Sequence, residues 1–127
     1  KTGAGRGFGA IPGVFKGVQM RSQLEIRFAA EIEERGYEWI YEEERLGDGN
    51  YLVDFHLPEL KCWVEVKGRI EARDRILLKE LAGELAEQRG EALFMYTGYR
   101  CYRIDSDGLH TMKRAEFWEL LDSRNQT

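Results

Sequence analysis

The sequence has few cysteines, no cluster of zinc-ligand residues and no long apolar run. These absences argue against a disulfide-stabilised, a zinc-dependent and a membrane-spanning protein, respectively. Its two cysteines, Cys62 and Cys101, could pair, but they fit ordinary reduced residues at least as well. The two histidines, His56 and His110, lie far apart in the sequence, and no group of cysteine and histidine has zinc spacing. A core that needs neither a disulfide nor structural zinc is therefore expected.

Hydrophobic runs are also short, and basic residues are not in excess. The longest apolar runs span a few residues, as in Ile76–Leu78, against the about 20 that a membrane-spanning helix needs. The first residues lead into glycines instead of an apolar block, so we expect no signal peptide. A net charge of −4 argues against binding nucleic acid through an overall basic surface, although basic residues confined to one patch are compatible with it. The expected location is cytoplasmic, without membrane contact.

Size and composition predict one compact domain after a short arm. The chain has 127 residues, 43% of them hydrophobic and 33% charged, which is typical of a single folded unit. Residues 1–18 contain six glycines together with Lys1, Arg6 and Lys16. They predict a flexible, basic, Gly-rich arm that could touch a phosphate backbone, or else a plain disordered terminus. Residues 19–127 would form the domain.

Apolar periodicity and capping residues predict three helices. The first runs from about Ser22 to Arg35, with Ser22 as N-cap and Gly36 at the C-terminal end. Its apolar stripe comprises Leu24, Phe28 and Ile32. The second runs from Arg73 to Arg89 and ends at Gly90, with Ile76, Leu77, Leu81 and Leu85 facing inward, and the third from Lys113 to Leu121.

Five strands are expected between these helices. The segments are Glu38–Glu43, Tyr51–Leu57, Cys62–Lys67, Ala92–Tyr96 and Arg100–Ile104. The resulting order, one helix, three strands, a helix, two strands and a helix, predicts an α/β fold in which a mixed central β-sheet is flanked by helices.

The second and third strands form a hairpin whose register brings two acids together. If the short loop Pro58–Lys61 is centred between Glu59 and Leu60, Asp54 faces Glu65. Side chains alternate along a strand, and this register sorts them well. One face collects Tyr51, Val53, Phe55, Leu57, Cys62, Val64 and Val66, and the other Leu52, Asp54, His56, Trp63, Glu65 and Lys67.

Paired acids on a largely apolar hairpin favour a metal site. Directly opposed residues have Cβ atoms about 4.5–5.5 Å apart, where like charges destabilise a sheet. Lys67 supplies one compensating charge, and a hard divalent cation such as Mg²⁺ or Mn²⁺ would supply more. Asp54 and Glu65 would hold the ion, with the backbone carbonyl of Val66 as a further ligand. Lys67 would orient or deprotonate water or stabilise charge on a phosphate.

This segment resembles the PD-(D/E)xK nuclease superfamily, which includes restriction enzymes and junction-resolving endonucleases. The matching residues are Val53-Asp54, ten intervening residues, and Glu65-Val66-Lys67, with Val53 where the family commonly has proline. Glu25 fits a glutamate that many members carry on the preceding helix. The resemblance covers Met20 to Gly68, where the sequence looks like small phage, transposase and repair nucleases of this superfamily. It implies a restriction-endonuclease-like fold and, if the protein is phage-encoded, a location in the host cell cytoplasm. It also implies catalytic roles for Glu25, Asp54, Glu65 and Lys67, with Mg²⁺ or Mn²⁺ as cofactor.

Two of these assignments have structural alternatives. Ser22 and Glu25 have the spacing of a capping box, in which Glu25 would bond the Ser22 amide. Four basic residues after the motif, Arg69, Arg73, Arg75 and Lys79, could bind substrate phosphates. They could equally form a solvated helix start paired with Glu71 and Asp74. His56 and Trp63 are expected to be structural residues.

Three functions compete at this stage. The first is a metal-dependent DNA endonuclease that hydrolyses phosphodiester bonds, selects branched or junction DNA by shape, and acts as a homodimer. The second is a non-catalytic or weakly catalytic nucleic-acid-binding subunit of a larger phage, transposition or repair complex. The third is an interaction protein whose acids are surface charges. Exposed acids would favour the third.

Overall fold

A six-stranded mixed sheet organises the chain in the computed structural model, which describes residues 11–125. In spatial order the strands are β10 (Gly108–Lys113), β9 (Arg100–Asp105), β8 (Ala92–Tyr96), β7 (Cys62–Val66), β6 (Phe55–Leu57) and β3 (Ile40–Tyr41). Only β7 and β8 run parallel, and the chain between them contains a helix, as parallel neighbours require. The predicted α/β class with a mixed central sheet is confirmed.

Three helices cover the sheet, and the apolar side chains divide into two clusters. The helices are α1 (Gln23–Glu34), α2 (Ala72–Arg89) and α3 (Arg114–Arg124). Phe28 of α1 and Phe117 of α3 share one cluster with Phe55 and Val64 of the sheet. The other cluster joins α2 to alternate sheet residues, namely Leu78, Leu81, Ala82 and Leu85 with Trp63, Leu93 and Met95. Strand β7 is buried throughout because it contributes side chains to both clusters.

The Gly-rich start of the chain differs from the predicted arm. Two strands, β1 (Gly13–Phe15) and β2 (Val18–Met20), form an antiparallel hairpin beside α1. Lys16 and Gly17 both have positive φ, as in a two-residue hairpin turn. An added Cβ at Gly13 would lie 2.8 Å from Ile26 Cδ1. Here glycine allows a turn and a close approach. Residues 1–10 of the predicted arm lie outside the described residues.

The predicted second strand is interrupted just before the acid. The register of β6 on β7 is as predicted, with Phe55 opposite Val64 and Leu57 opposite Cys62. The preceding residues leave this ladder, and β5 (Tyr51–Leu52) pairs instead with β4 (Arg45–Leu46). As a result Val53 and Tyr51 pack with the α2 cluster, and the prediction that they share the face of Phe55 is wrong.

Helix α2 buries Leu81 and Leu85 as predicted, but its first turns differ from the predicted face. Ile76 is 62% exposed, whereas Leu78 and Ala82 are buried with Leu81 and Leu85. The alternative stripe beginning at Leu78 has the same helical spacing, and the sheet contact selects it. The assignment of Ile76 to the core is therefore wrong.

The cysteines are buried and unbonded. Strand β3 is shorter than the predicted Glu38–Glu43, and β10 was not expected from the sequence. Among residues 11–125, no helix is long and apolar enough to cross a membrane.

Candidate active site

A cleft of about 1270 Å³ opens at the end of β7 and gathers the acidic motif. Its lining includes Asp54 from the turn before β6, Glu65 and Val66 from β7, and Lys67 just after it. Glu25 enters from the first turn of α1. The structure thus brings together the residues to which the sequence assigned catalytic and metal-binding roles.

Asp54 and Glu65 are held against each other by reciprocal backbone contacts. The Val66 amide donates to Asp54 Oδ2 at 2.7 Å, and the Asp54 amide donates to Glu65 Oε1 at 3.3 Å. Asp54 is 4% exposed and Glu65 is 6% exposed. Although Asp54 stands outside the β6–β7 ladder, these contacts place its carboxylate beside that of Glu65.

This burial favours the neutral form of both acids. Removal from water raises the pKa of Asp54 well above its usual value, and repulsion from Glu65 and Glu25 adds to the rise. Burial likewise raises the pKa of Glu65 to about 7, although hydrogen bonds from Tyr51 and Asp54 oppose the shift. A pair of neighbouring acids that is costly to ionise is a common property of functional sites.

Glu25 forms the predicted capping box and also borders the acidic pair. Its Oε1 accepts from the amides of Ser22 at 3.0 Å and Arg21 at 2.9 Å, while Ser22 Oγ accepts from the Glu25 amide at 3.1 Å. Glu25 is nevertheless 4% exposed, and its charge contributes to the raised pKa of Asp54. The capping role is confirmed, and a role in chemistry stays a prediction.

Lys67 is oriented by Asp74, a residue that one alternative of the sequence analysis paired with the basic residues after the motif. Its Nζ lies 3.3 Å from Asp74 Oδ2, in the first turn of α2. The same carboxylate accepts from the Glu71 amide at 3.1 Å. Asp74 therefore ties Lys67 to the start of α2, and does not neutralise the nearby arginines.

Two other contacts to the acids were missed by the sequence reading. Tyr51 Oη donates to Glu65 Oε2 at 3.0 Å, which the predicted face assignment excluded because it kept Tyr51 on the opposite side. Arg21 Nη2 lies 3.4 Å from Asp54 Oδ1 and also pairs with Glu42. Arg21 could have been found from its position directly before the N-cap Ser22, because the predicted capping box places the start of this helix beside Glu25.

The predicted substrate-binding residues divide into two groups. Arg69 and Arg75 line the cleft, but Arg73 and Lys79 do not. Lys79 borders a separate depression with Arg103 and Asp105. Lys79 lies one helical turn beyond Arg75, outside the cleft lining, and a phosphate-binding role for Arg73 and Lys79 stays a prediction.

His56 and Trp63 serve the structure, as expected. Trp63 is fully buried and donates from Nε1 to Glu91 Oε1 at 2.8 Å. The His56 ring stacks on it with centroids 3.9 Å apart, while His56 Nδ1 contacts Glu43. Neither residue lines the cleft.

The donor set suits a hard divalent cation in kind. Asp54 and Glu65 present buried carboxylate oxygens, the ligand type that Mg²⁺ and Mn²⁺ prefer, and a cation would offset the repulsion that raises the pKa of Asp54. In the described residues, their oxygens contact Val66, Arg21, Tyr51 and the Asp54 amide. No group of three or more histidine, cysteine or acidic side chains within residues 11–125 is arranged to hold a metal. Arg21 and Tyr51 contact carboxylate oxygens that a cation would also use.

No family model, curated protein or solved structure matches the chain. The chemical interpretation of the cleft accordingly depends on its own residues.

Proposed function

We propose that this chain is a Mg²⁺- or Mn²⁺-dependent DNA endonuclease with a PD-(D/E)xK-type site and a restriction-endonuclease-like fold. The observation that carries the proposal is the placement of its buried charge. The chain has 23 acidic residues, and the charged residues buried within the described part are Glu25, Asp54 and Glu65. All three line one cleft together with Lys67, although burying carboxylates costs free energy.

Each residue has a role that its position supports. Asp54 and Glu65 would hold the cation, with the backbone carbonyl of Val66 as a further ligand. The bound ion would polarise a phosphate oxygen and lower the pKa of a coordinated water. Lys67, held by Asp74, orients the attacking water or stabilises charge building on the phosphate. Arg69 and Arg75 on the rim hold the phosphate backbone.

Two copies would suit cleavage of both strands. The three buried acids of residues 11–125 share a single cleft, and a symmetric homodimer would present two related clefts to a duplex. Sedimentation of the protein with and without DNA tests this part of the proposal independently of catalysis.

Catalysis is tested by cleavage of duplex, flap, junction and single-stranded DNA with Mg²⁺, Mn²⁺ or EDTA. We expect metal-dependent cutting. Asp54→Asn, Glu65→Gln and Lys67→Met should each slow it at least about a hundredfold, the scale on which loss of one charge-stabilising group acts. Glu84→Gln, an exposed acid on α2, is the matched control. Cleavage by Lys67→Met at the wild-type rate would refute the assigned mechanism.

The alternative is a nucleic-acid-binding subunit with little or no catalysis, in a larger phage, transposition or repair complex. The contacts of Arg21 and Tyr51 with the acid oxygens favour it, because they partly satisfy the carboxylates without a metal. DNA binding that persists while titration with Mn²⁺ gives no heat and no cleavage would select this alternative.

A further inference from the structure

The turn between β8 and β9 is tightly closed at the edge of the cleft. The Thr97 amide donates to the Arg100 carbonyl at 3.0 Å, and the Arg100 amide donates to Thr97 Oγ1 at 3.3 Å. Gly98, the first of the two central residues, has a φ of +110°, which glycine adopts without strain. The turn therefore fixes the direction of the backbone at Tyr99.

Contacts from two helices hold this turn in place. Arg114 Nη1, at the start of α3, donates to the Gly98 carbonyl at 2.8 Å. On the other side, a Cβ built at Gly98 would lie 3.4 Å from Leu24 Cδ1 of α1. The backbone of the turn is thus anchored between α1 and α3, and Arg114 acts as its anchor.

Tyr99 projects from this fixed turn into solvent. Its exposed fraction is 80%, the largest among the exposed large apolar side chains of residues 11–125. Tyr99 lines the cleft, whereas the others, Ile11, Val14 and Ile76, do not. Because the turn that carries the ring is anchored, binding would cost the ring little further conformational entropy. The exposed ring is therefore suited to contact a flat ligand.

The cations around Tyr99 suit a polyanion. Arg27, Arg69, Arg75 and Arg100 line the same cleft. Within the described part of the chain, their side chains form no salt bridge, in contrast to Arg21 and Lys67. Arginines without acidic partners can bind phosphates bidentately. The combination of free arginines with an exposed aromatic ring is typical of surfaces that bind single-stranded nucleic acid.

We propose that Tyr99 stacks on an unpaired base, and that the substrate is DNA with a single-stranded segment or branch point at the cleft. This inference rests on the proposed nuclease function, and it specifies the DNA structure. In a continuous duplex the base faces are already stacked, so the ring could engage one only by forcing a step open. At a branch or single strand the base is available without that cost.

The test measures binding separately from cleavage. Forked DNA with 2-aminopurine at the unpaired branch nucleotide, and a fully paired duplex of the same length, are titrated in EDTA with wild type, Tyr99→Ala and Tyr99→Phe. We expect Tyr99→Ala to weaken fork binding about tenfold, within the range for losing one stacked base, and to leave duplex binding unchanged. Tyr99→Phe should retain fork binding and the quenching of 2-aminopurine. Ile76→Ala, an exposed apolar residue outside the cleft, is the control.

The outcomes separate this inference from the proposed catalysis. Equal losses on fork and duplex, or no loss on either, would overturn the stacking role. Loss confined to the fork supports it even if Mg²⁺ produces no cleavage, a result that would refute the nuclease activity alone. Unchanged thermal unfolding of Tyr99→Ala, expected for so exposed a residue, shows that the variant is folded.

Discussion

At the scale of single residues, burial separates Asp54 and Glu65 from the acids on the surface. Each carboxylate accepts a hydrogen bond from a backbone amide of the opposing segment. The pKa of both acids is nevertheless raised, because the effect of burial is larger than that of these hydrogen bonds. A bound cation would favour the ionised forms of both acids and would therefore lower their pKa values.

The first prediction concerns pH and the stability of the metal-free protein. The pKa of Glu65 rises from 4.5 to about 7 on folding, so between these values the folded state holds a proton that the unfolded chain has lost. The contribution of Glu65 to stability in EDTA should therefore be fully present below pH 4.5 and be lost as pH rises through 7. The fall from this group is about 3 kcal/mol at most. Urea denaturation at pH 5 and pH 8 measures it.

The matched variants for this prediction differ only in burial. Glu65→Gln cannot ionise and keeps an acceptor for Tyr51, so its stability should change less between the two pH values, and the change that remains is assigned to Asp54, whose pKa is also raised. Glu84→Gln, on the exposed surface of α2, should behave like wild type. A Glu65→Gln profile as steep as that of wild type would show that Glu65 does not titrate in this range.

A second prediction separates the two roles of Glu25. Glu25→Gln keeps the Oε1 atom that accepts from Arg21 and Ser22, so the cap should survive while the charge is lost. We expect thermal stability within about 0.5 kcal/mol of wild type, and cleavage reduced at least tenfold. Ser22→Ala, which removes the other half of the cap, should cost about 1 kcal/mol and spare cleavage. Wild-type cleavage by Glu25→Gln would leave Glu25 as a cap only.

At the scale of elements, local signals located helices better than strand ends. Helix α1 begins after Ser22 and helix α2 ends at Gly90, both as predicted, because caps depend on neighbouring residues. The register of β6 on β7 was also predictable, since its loop and apolar pattern agree. The departure of Tyr51 into a second hairpin was not, because it depends on pairing with β4 and packing under α2.

The face of α2 gives a third prediction. Leu85 is 3% exposed and packs on the sheet, whereas Ile76 is 62% exposed. Leu85→Ala should therefore lower the free energy of unfolding by about 2–5 kcal/mol, and Ile76→Ala should change it by less than about 0.5 kcal/mol. Chemical denaturation of the two variants tests this. Similar losses in both would mean that α2 is rotated relative to the sheet.

At the scale of the whole molecule, charge is distributed unevenly. The net charge is −4, but arginines surround the cleft in which the buried acids lie. Composition could show only the total, and the motif could show only Asp54, Glu65 and Lys67. That Arg75 lines the cleft and Lys79, one turn further along α2, does not depends on where the helix starts relative to the sheet, which tertiary packing determines. A local positive rim can concentrate a polyanion although the protein as a whole is acidic.

This distribution gives a last prediction about DNA affinity. If Arg75 contacts a phosphate from the rim, Arg75→Ala should weaken binding to every DNA tested. It should also reduce the slope of log affinity against log salt concentration by about 1, since one fewer counterion is released. Lys79→Ala removes a charge one helical turn away that borders the other depression, and should leave the slope unchanged. Anisotropy titrations in EDTA between about 50 and 200 mM NaCl measure both. Equal effects of the two variants would mean that DNA responds to the overall charge of the protein and does not lie along this cleft.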